Sequence, residues 1–350
     1  MTPIFISYLY PMITPDYKAL KTLLSTPKKI AIIPHRNPDG DAIGSTLALH
    51  QYLLQLGHEC QVISPNQAPD FLHWMPGFDQ IINFERQNEL AKDCIAQAQL
   101  IFTLDFNHLS RVGDVMQASL EAASADFIMV DHHQSPDSYA LHTYSDTSIC
   151  ATCQMVYHFI DGLEDLDKIT PDMAQCLYTG IMTDTGSFKY ATTTATTHRV
   201  AADLIEKGAQ NAEIHRAIYD TNSPSRLHLL GCALKNMEIL PAYKTAMIHL
   251  SQEELDQYEY KKGDTEGLVN YGLSIAGVHF STIFIENKEE QIIKMSFRSQ
   301  GDFSVNEFAR AHFNGGGHNN AAGGRSDLSL SETLAQFKEI LPTYKNELNK

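Results

Sequence analysis

Histidine and aspartate side chains follow three apolar runs of the sequence, at the points where each run gives way to polar residues. The candidate groups are His35, Asp39 and Asp41 after the run KIAIIP, Asp105 after QLIFTL, and Asp131, His132 and His133 after DFIMV. In an open parallel sheet, ligands bind at the carboxyl ends of the strands, so groups that follow neighbouring strands converge on one crevice. Converging imidazole and carboxylate groups are typical of a metal site.

A fourth acid, Asp184, lies where a helical pattern gives way to a turn at Gly186. Several carboxylates packed together would raise one another's pKa, whereas divalent cations offset their charge and keep them ionised. Oxygen and nitrogen donors without thiolate favour Mn²⁺ or Mg²⁺ over a structural zinc site. Two such ions about 4 Å apart can polarise a phosphoryl group and hold a hydroxide between them. The predicted reaction is therefore hydrolysis of a phosphate ester or anhydride.

Each of these groups also has a purely structural interpretation. An aspartate at a strand end is most often a helix cap, and the segment Asn37–Gly40 is a good turn sequence on its own. The Asp-His-His segment alone could be a polar loop. The combination of H-x-N-x-D-x-D after one run, Asp after a second and Asp-His-His after a third is far more specific than its parts. It favours a metal site.

Hydrophobic periodicity predicts the elements that position these groups. The first half of the chain alternates short apolar runs with helical patterns, which predicts an α/β fold with a doubly wound, mostly parallel sheet. The predicted strands are Lys29–Pro34, Cys60–Ser64, Gln99–Asp105 and Asp126–Asp131. A helix is predicted from Ala42 to Leu56, and Gly57 is expected to end it.

The second half begins with an almost wholly helical stretch and ends in a smaller α/β unit. The predicted helices of the stretch are Pro171–Thr183, Thr196–Gly208 and one that the polar break Asn222–Arg226 opens. The smaller unit is predicted to hold strands at Thr245–Leu250, Val278–Ile285 and Gln291–Phe297, a helix at Val305–Phe313, and a terminal helix from about Ser331. We therefore expect a first domain over residues 1–195, a helical linker over 196–225 and a second domain over 226–350.

Composition limits the classes of function. The chain carries 42 acidic and 26 basic residues, a net charge of −16, and 43% of its residues are apolar. This apolar content is enough for a sizeable core, and no apolar run approaches the roughly 20 residues of a membrane helix. An acidic protein is a poor candidate for tracking along nucleic acid through its general field. An anionic substrate must therefore be held locally, by metal ions or by a few arginines.

The cysteines and the N-terminus bear on the cellular compartment. None of the spacings among the six cysteines is typical of a disulfide framework or a zinc ribbon. Cys150 and Cys153 form a lone CxxC near a helix start, which we interpret as thiols in a reducing environment. The apolar segment Met1–Pro15 lacks the basic residues and the cleavage site of a signal peptide. These features predict a cytoplasmic protein that does not enter a membrane.

The candidate residues resemble the motifs of a known family. The segment from His35 to Ser45, together with Asp105, Asp131–His133 and Asp184, resembles the four motifs of the DHH phosphoesterases. Gly315–His318 resembles the signature of their associated C-terminal domain, and the resemblance covers nearly the whole chain, from about Lys28 to Gly324. Within the family, the pattern GGGH-x-x-AAG is most similar to the NrnA group. Those enzymes degrade very short oligonucleotides and remove the 3′-phosphate from adenosine 3′,5′-bisphosphate (pAp).

The resemblance implies a role for each residue of the metal site. The implied ligands are His35, Asp39 and Asp105 for one ion, and Asp41, Asp105, His132 and Asp184 for the other, so that Asp105 bridges them. Asp131 is expected to orient a ligand histidine from outside the metal site. His133 is expected to face the scissile phosphate, so the catalytic set is His133, Asp105 and Asp131. The implied cofactor is a pair of divalent ions, with Mn²⁺ expected ahead of Mg²⁺ or Co²⁺.

The second domain is expected to recognise the substrate across a cleft. Its glycines are interpreted as an anion-binding nest of backbone N–H groups, and Arg298 offers a fork suited to a terminal phosphate. The implied substrate-binding set is Arg298, Gly316, Gly317 and His318, with Asn314, Arg325 and, in the first domain, Arg111 as weaker candidates. Phe188 and Tyr190 could form a base-stacking platform, although packing in the core is the commoner role of such residues.

The predicted function is hydrolysis of short single-stranded oligonucleotides or pAp through a metal-held hydroxide, without binding to long nucleic acid. Three alternatives stay open: an exopolyphosphatase or pyrophosphatase, which should have a more basic second domain; a phosphodiesterase for the linear dinucleotides of cyclic-dinucleotide signalling; and a non-catalytic nucleotide sensor. The sensor is disfavoured because every ligand position is occupied. The sequence leaves a homodimer open as well.

Overall fold

The computed structural model describes residues 12–350, so most of the segment Met1–Pro15 lies outside the described residues. The chain divides into two compact units, the first ending at Thr221 and the second beginning at Asn222. In the described part of the chain, no helix is long and apolar enough to cross a membrane.

The first unit contains a six-stranded parallel sheet. Its strands are β1 (Lys29–Pro34), β2 (Glu59–Ser64), β3 (Ile82–Asn83), β4 (Leu100–Leu104), β5 (Asp126–Asp131) and β6 (His142–Ser145). They are hydrogen-bonded in the order β3-β2-β1-β4-β5-β6, and every neighbouring pair is parallel. The chain winds outward from β1 in one direction and from β4 in the other. The predicted doubly wound sheet is therefore confirmed, and its switch point lies between β1 and β4.

Eight helices belong to the described part of the first unit. They are α1 (Tyr17–Leu23), α2 (Gly40–Gln55), α3 (Asn88–Gln97), α4 (Asp114–Glu121), α5 (Thr152–Gly162), α6 (Pro171–Asp184), α7 (Ala195–Glu206) and α8 (Asn211–Tyr219). The predicted helices here are confirmed to within two residues at each end. Gly57 has a φ of +85°, the left-handed conformation expected after a helix end. Thr170 caps α6, which begins with a proline.

Two strands of this sheet were not predicted from the sequence. β3 has two residues and β6 has four, and each lies at an edge of the sheet. Edge strands are half-exposed, so β6 consists of His142-Thr-Tyr-Ser145 and lacks the apolar run that marks the central strands. Periodicity therefore identifies the buried strands and misses the edges.

The second unit contains a mixed sheet of six strands. They are β7 (Glu238–Leu240), β8 (Thr245–Leu250), β9 (Phe280–Asn287), β10 (Ile292–Ser299), β11 (Gly316–His318) and β12 (Ala321–Ser326). The order is β11-β12-β10-β9-β8-β7, with β8 and β9 parallel and the other pairs antiparallel. The helices are α9 (Pro224–Lys235), α10 (Gln252–Gln257), α11 (Asn270–Leu273), α12 (Val305–His312), α13 (Leu330–Ile340) and α14 (Lys345–Leu348). The predicted strands and helices of this unit are confirmed with small shifts.

The two faces of this second sheet are covered differently. On one face, an aromatic core includes Phe280 and Phe297 from the sheet and Phe308 and Phe337 from α12 and α13. On the other face, residues of α9 and α10 pack on Ile248 and other side chains of β8 and β9. The part of that second face formed by β10, β12 and β11 carries exposed polar side chains instead.

The glycine cluster does not form the predicted nest. Gly316–His318 is the extended strand β11, which pairs with β12. A Cβ atom on Gly315 would lie 2.0 Å from the carbonyl oxygen of Gly323, and one on Gly317 would lie 2.5 Å from that of Ala321. The glycines therefore allow two backbones to approach closely. The nest prediction is wrong because successive glycines permit an extended path as readily as a curled one.

Candidate metal centre

The metal-site candidates meet at the switch point of the parallel sheet. The last residues of β1, β4 and β5 lie side by side, with Pro34 in register with Leu104 and Leu104 in register with Val130. His35, Asp105 and the Asp131–His133 segment therefore leave neighbouring strands at the same edge. Open α/β sheets bind ligands at this edge, so the candidate residues lie where the fold is expected to place a ligand.

His35 presents one ring nitrogen to two carboxylates. Its Nδ1–H donates to the backbone carbonyl of Arg36 at 2.9 Å, because a carbonyl can only accept. This leaves Nε2 directed at Asp105 Oδ2 (3.4 Å) and Asp39 Oδ2 (4.0 Å). Burial opposes protonation, but the hydrogen bond to Asp105 and the neighbouring negative charges outweigh it and raise the pKa of His35 to about 9. A backbone contact that fixes a histidine tautomer is a common support for metal ligands.

Asp39 is both a helix cap and a candidate ligand. Its Oδ1 accepts hydrogen bonds from the backbone N–H groups of Asp41 (3.0 Å) and Ala42 (3.1 Å), which caps the start of α2. Its Oδ2 is the oxygen that faces His35. The structural and the metal-binding interpretations of this residue are therefore compatible, because each uses a different oxygen.

Asp41 caps a second helix that is distant in sequence. Its two carboxylate oxygens accept hydrogen bonds from the N–H groups of Thr152 (2.6 Å) and Cys153 (2.8 Å), at the start of α5. The N-cap residue Ala151 has no side chain that could do this. Burial, followed by the charges of Asp105 and Asp184, raises the pKa of Asp41 well above its ordinary value. The positive end of the α5 dipole therefore points into the candidate site.

Asp105 lies at the middle of the cluster. It is buried, and its φ of +65° is a left-handed conformation that few residues other than glycine tolerate. Burial opposes its ionisation, but contacts with His132 and His35 outweigh that effect and lower the pKa of Asp105 well below its ordinary value. Its Oδ1 also accepts from the Thr152 hydroxyl at 3.1 Å. Backbone strain of this kind is concentrated at functional sites.

His132 and Asp184 complete the other side of the cluster. The Nδ1–H of His132 donates to the carbonyl of Ile149 at 3.2 Å, so Nε2 faces the carboxylates. Nε2 lies 3.4 Å from Asp105 Oδ1, 3.6 Å from Asp184 Oδ2 and 4.0 Å from Asp41 Oδ2. Burial, together with the charge of Asp39, raises the pKa of Asp184 to about 7 despite the opposing charge of His132.

Asp131 contacts His133 rather than His132. Its Oδ1 lies 2.7 Å from His133 Nδ1, whereas His132 Nδ1 is held by the backbone carbonyl of Ile149. The structure therefore brings Asp131 to the histidine that is expected to face the scissile phosphate. The other oxygen of Asp131, Oδ2, is buried without a hydrogen-bond partner among residues 12–350.

Glycines bring α2 and α6 close enough for Asp41 and Asp184 to meet. A Cβ atom on Gly40 would lie 2.4 Å from Thr183 Oγ1, and one on Gly44 would lie 2.5 Å from the carbonyl oxygen of Cys176. A Cβ atom on Gly180 would lie 2.1 Å from Cys153 Sγ and 2.8 Å from Asp41 Oδ1. Any larger residue would push the helices apart, so these glycines help to position the site.

The donor set fits a pair of divalent cations. Three groups of residues could each hold an ion, because each residue offers one potential ligand atom and these atoms lie within 4.8 Å of one another. The groups are His35, Asp39 and Asp105; Asp41, His132 and Asp184; and Asp105, His132 and His133. Burial, followed by the charges of neighbouring carboxylates, raises the pKa of Asp41 and of Asp184, and bound cations would offset both effects. The neighbouring thiol of Cys153 is buried and its pKa is raised well above the ordinary value, so it stays protonated.

The chain is similar to known proteins over most of its length. The bifunctional oligoribonuclease and PAP phosphatase NrnA of Thermus thermophilus is 31% identical over 92% of this chain and 90% of its own length. The model of the DHH family, N-terminal domain, matches residues 29–181, and that of the DHHA1 domain matches residues 244–349. The chain belongs to the DHH family. The first unit thus contains its DHH domain and the second its DHHA1 domain.

Two further proteins are similar over most of the chain. The NrnA of Bacillus subtilis, with the same description, is 28% identical over 83% of this chain and 88% of its own length. The crystal structure of an exopolyphosphatase-related protein from Bacteroides fragilis superimposes with a TM-score of 0.93 at 39% identity. The superposition covers 95% of this chain and 97% of the Bacteroides chain.

The DHHA1 sheet brings two of the predicted substrate-binding residues into one row. Arg298 of β10 and His318 of β11 are both in register with Ala321 of β12, so the three lie across neighbouring strands. Residues in register on antiparallel strands point to the same face. Exposed Lys294 and Arg325 form the next cationic pair along that face. We call Lys294, Arg298, Arg325 and His318 the cationic row.

The remaining predicted substrate-binding residues have other surroundings. The N–H of Gly317 donates to Asn306 Oδ1 at 3.1 Å, and Gly316 pairs with Gly323 on the face of the cationic row. Asn314 is exposed and has a φ of +46°. Arg111 lies in the first unit, where its side chain is exposed and its carbonyl accepts from the N–H of Arg36 at 2.8 Å.

Several supporting residues of the DHH domain were missed by sequence analysis. Asn66 exchanges two hydrogen bonds with Asn37, which has a φ of +56° in the loop between His35 and Asp39. Thr152 contacts two of the candidate ligands, and Ile149 acts only through its backbone. The one available signal was the position of Asn66 just after β2, because a polar residue at that edge of the sheet is near the site.

Proposed function

We propose that this DHH-family phosphoesterase hydrolyses short single-stranded oligonucleotides to mononucleotides and removes the 3′-phosphate from pAp. The observation that carries the proposal is the buried cluster of histidines and aspartates centred on Asp105, whose oxygens face His35 on one side and His132 on the other. The similarity to two NrnA proteins over most of the chain supports the choice of substrate class.

The assignment of ligands is part of the proposal. His35, Asp39 and Asp105 would hold one divalent cation, and Asp41, Asp105, His132 and Asp184 would hold the other. When bound, the cations would activate the attacking water and neutralise charge on the phosphoryl oxygens. We propose Mn²⁺ ahead of Mg²⁺ or Co²⁺, because a mixed set of imidazole and carboxylate donors suits Mn²⁺ well.

The protein's own groups hold these donors in place before substrate arrives. The carbonyls of Arg36 and Ile149 direct the Nε2 atoms of His35 and His132 towards the carboxylates. The N–H groups at the start of α5 hold Asp41. Asp105, as the shared ligand, needs both of its oxygens, and it has a histidine beside each one. This preorganisation means that little rearrangement accompanies the reaction.

His133 is the proposed proton donor or phosphate contact. Asp131 accepts from its Nδ1–H, which leaves Nε2 as the atom that can approach a substrate. In that position His133 would donate to a nonbridging oxygen or to the leaving oxygen. The buried carboxylate of Asp131 holds the His133 ring in this orientation, so we propose a positioning role for Asp131 rather than a ligand role.

We propose that the cationic row of the DHHA1 domain, together with Gly316 and Gly317, binds a terminal phosphate of the substrate. The chain has a net charge of −16, so a local positive surface is needed for any nucleotide. Asn314 and Arg111 remain weaker members of this set. A cytoplasmic, reducing setting is also proposed, because all six cysteines are free thiols.

A substrate panel with Mn²⁺ tests this function. The panel contains pAp, di- to pentanucleotides, linear and cyclic dinucleotides, pyrophosphate and polyphosphate, each measured with and without a chelator. We expect chelator-sensitive turnover of pAp and of short oligonucleotides at the highest kcat/KM. Preferred turnover of polyphosphate or pyrophosphate would overturn the proposal in favour of the exopolyphosphatase or pyrophosphatase alternative. The similar Bacteroides protein is described as exopolyphosphatase-related, which is why both substrates are in the panel. Nucleotide binding without any hydrolysis would indicate a sensor.

A further inference from the structure

The segment that follows Asp184 is a tightly bonded turn, Thr185–Tyr190, which we call the Asp184 turn. The N–H of Ser187 donates to the carbonyl of Met182 at 2.8 Å, and the N–H groups of Lys189 and Tyr190 donate to the carbonyl of Thr185. Gly186, Ser187 and Phe188 all have left-handed φ values, between +56° and +63°. Such a conformation is costly for the two non-glycine residues, so other contacts must maintain it.

Side chains of three helices hold the Asp184 turn in place. The ring of Phe188 stacks on His198 of α7, with centroids 5.5 Å apart, and it also contacts Tyr178 of α6. The hydroxyl of Ser187 lies 3.0 Å from Nε2 of His215 on α8. The Nδ1–H of His215 donates to the carbonyl of Asn211, so Nε2 is the acceptor. Phe188 is thus used for packing, and contacts with three helices fix the conformation of the turn.

Tyr190 is the exposed aromatic residue of the Asp184 turn. Its side chain is 43% exposed, so one part of the ring is available to a ligand. One side of the ring lies against Gly186, where a Cβ atom would be 2.6 Å from the ring carbon Cζ. Gly186 is two residues from Asp184, so their Cα atoms are at most about 7.6 Å apart. An exposed aromatic ring is therefore held on a rigid turn beside a proposed metal ligand.

We propose that Tyr190 stacks on the nucleobase of the nucleotide whose phosphate is hydrolysed. This inference rests on the proposed function and adds a base-binding subsite to it. Any base offers a flat π face, so stacking on one aromatic residue binds nucleotides without reading their sequence. A rigid platform loses little entropy when the base binds. The subsite also accounts for the exposure of Tyr190, because the base would cover the ring.

The test compares two substrates that differ only in the base. Wild-type protein, Tyr190→Ala and Tyr190→Phe are assayed with pAp and with ribose 3,5-bisphosphate, which has the same phosphates and no base. Tyr271→Ala is the matched control, because Tyr271 is also 43% exposed and lies on α11 of the other unit. Metal content and thermal midpoint are measured for each variant, so that a loss of folding is recognised.

We expect Tyr190→Ala to raise KM for pAp by roughly 5- to 150-fold, the range of one base–aromatic stack. KM for ribose 3,5-bisphosphate should not change, and Tyr190→Phe and Tyr271→Ala should behave as wild type. Equal losses on both substrates would show that Tyr190 only supports the turn, and no loss on either would remove the subsite; both results overturn the inference. A wild-type protein that hydrolyses neither substrate contradicts the proposed function instead.

Discussion

The metal centre of the DHH domain and the cationic row of the DHHA1 domain are built in opposite ways. In the metal centre, the proposed ligands His35, Asp39, Asp41, Asp105 and His132 each have a second hydrogen bond that fixes their orientation. In the cationic row, Lys294, Arg325 and His318 are exposed, Lys294 forms an ion pair with Glu290, and the register of three strands brings the row together. Chemistry is thus assigned to buried, constrained groups, and recognition to a surface.

This difference predicts different kinetic consequences for changes in the two regions. A group that acts only on the reacting phosphate contributes in the transition state, so its loss lowers kcat. A group that binds a phosphate far from the reacting one stabilises the bound substrate and the transition state equally, so its loss raises KM. Mutations in the two regions therefore test whether chemistry and recognition are divided in this way.

The largest effect is expected at Asp105. We expect Asp105→Ala to lower kcat/KM for pAp and for dinucleotides alike by roughly 10³-fold or more, because the shared ligand supports several kcal/mol of transition-state stabilisation. Metal content, measured by mass spectrometry, should fall in parallel. Asp126→Ala, at the exposed start of β5, serves as the control with unchanged activity. Retained turnover of either substrate would show that the cluster is not the shared catalytic site.

The next effect is expected at a glycine that touches no substrate. Gly180→Ala places a methyl group against Cys153 and Asp41, so we expect a stability loss of about 1–3 kcal/mol and metal affinity reduced about 10- to 100-fold. The matched control is Gly231→Ala on the exposed surface of α9, where a Cβ atom has open space. That change should raise stability by roughly 0.4–1 kcal/mol. Unfolding curves and metal titrations of both variants would separate them, and identical behaviour would refute the close helix contact.

A smaller, purely recognitional effect is expected at Arg298. We expect Arg298→Ala to raise KM for pAp about 10- to 100-fold, the range of a lost hydrogen bond to a charged group, while metal content and kcat stay unchanged. Arg216→Ala, on the exposed end of α8, is the control. Loss of metal in the Arg298 variant would mean that the division between the two regions is wrong.

The last prediction concerns pH rather than a substitution. If Asp184 and His35 are metal ligands as proposed, protons should compete with the metal for Asp184, whose pKa is raised to about 7, and for His35, whose pKa is raised to about 9. Metal affinity should therefore weaken as pH falls from 8 to 6, by about tenfold per unit for each proton displaced. Calorimetry in buffers of different ionisation enthalpy should show proton release, and Asp184→Asn should release fewer protons. An affinity that is constant across this range would contradict the assignment of these residues as ligands.

The sequence alone predicted the central part of the fold and the candidate metal residues. Buried parallel strands are continuous apolar runs, and the residues that follow them are polar, so both signals are local in the chain. The strand β1 and the groups after it, His35 and Asp39, are examples. Edge strands such as β6 lack this signal because half of their surface faces solvent.

The supporting contacts could not be predicted because they join residues distant in sequence. The hydrogen bonds from the start of α5 to Asp41 span more than a hundred residues, and Asn66 meets Asn37 through the pairing of β1 and β2. The partner of Asp131 could not be predicted for a related reason. Sequence spacing does not show which of two adjacent histidines turns back towards a neighbouring carboxylate.

Asp39 and Asp41 each hold a helix start with the same carboxylate group that faces the metal site. The helices therefore depend on these carboxylates even when no ion is present, and the side chains do not wait for the ion to become ordered. Metal binding should for this reason leave the backbone at these two helix starts unchanged. Hydrogen-exchange rates at the starts of α2 and α5 are expected to be nearly the same in the metal-free and the metal-loaded protein.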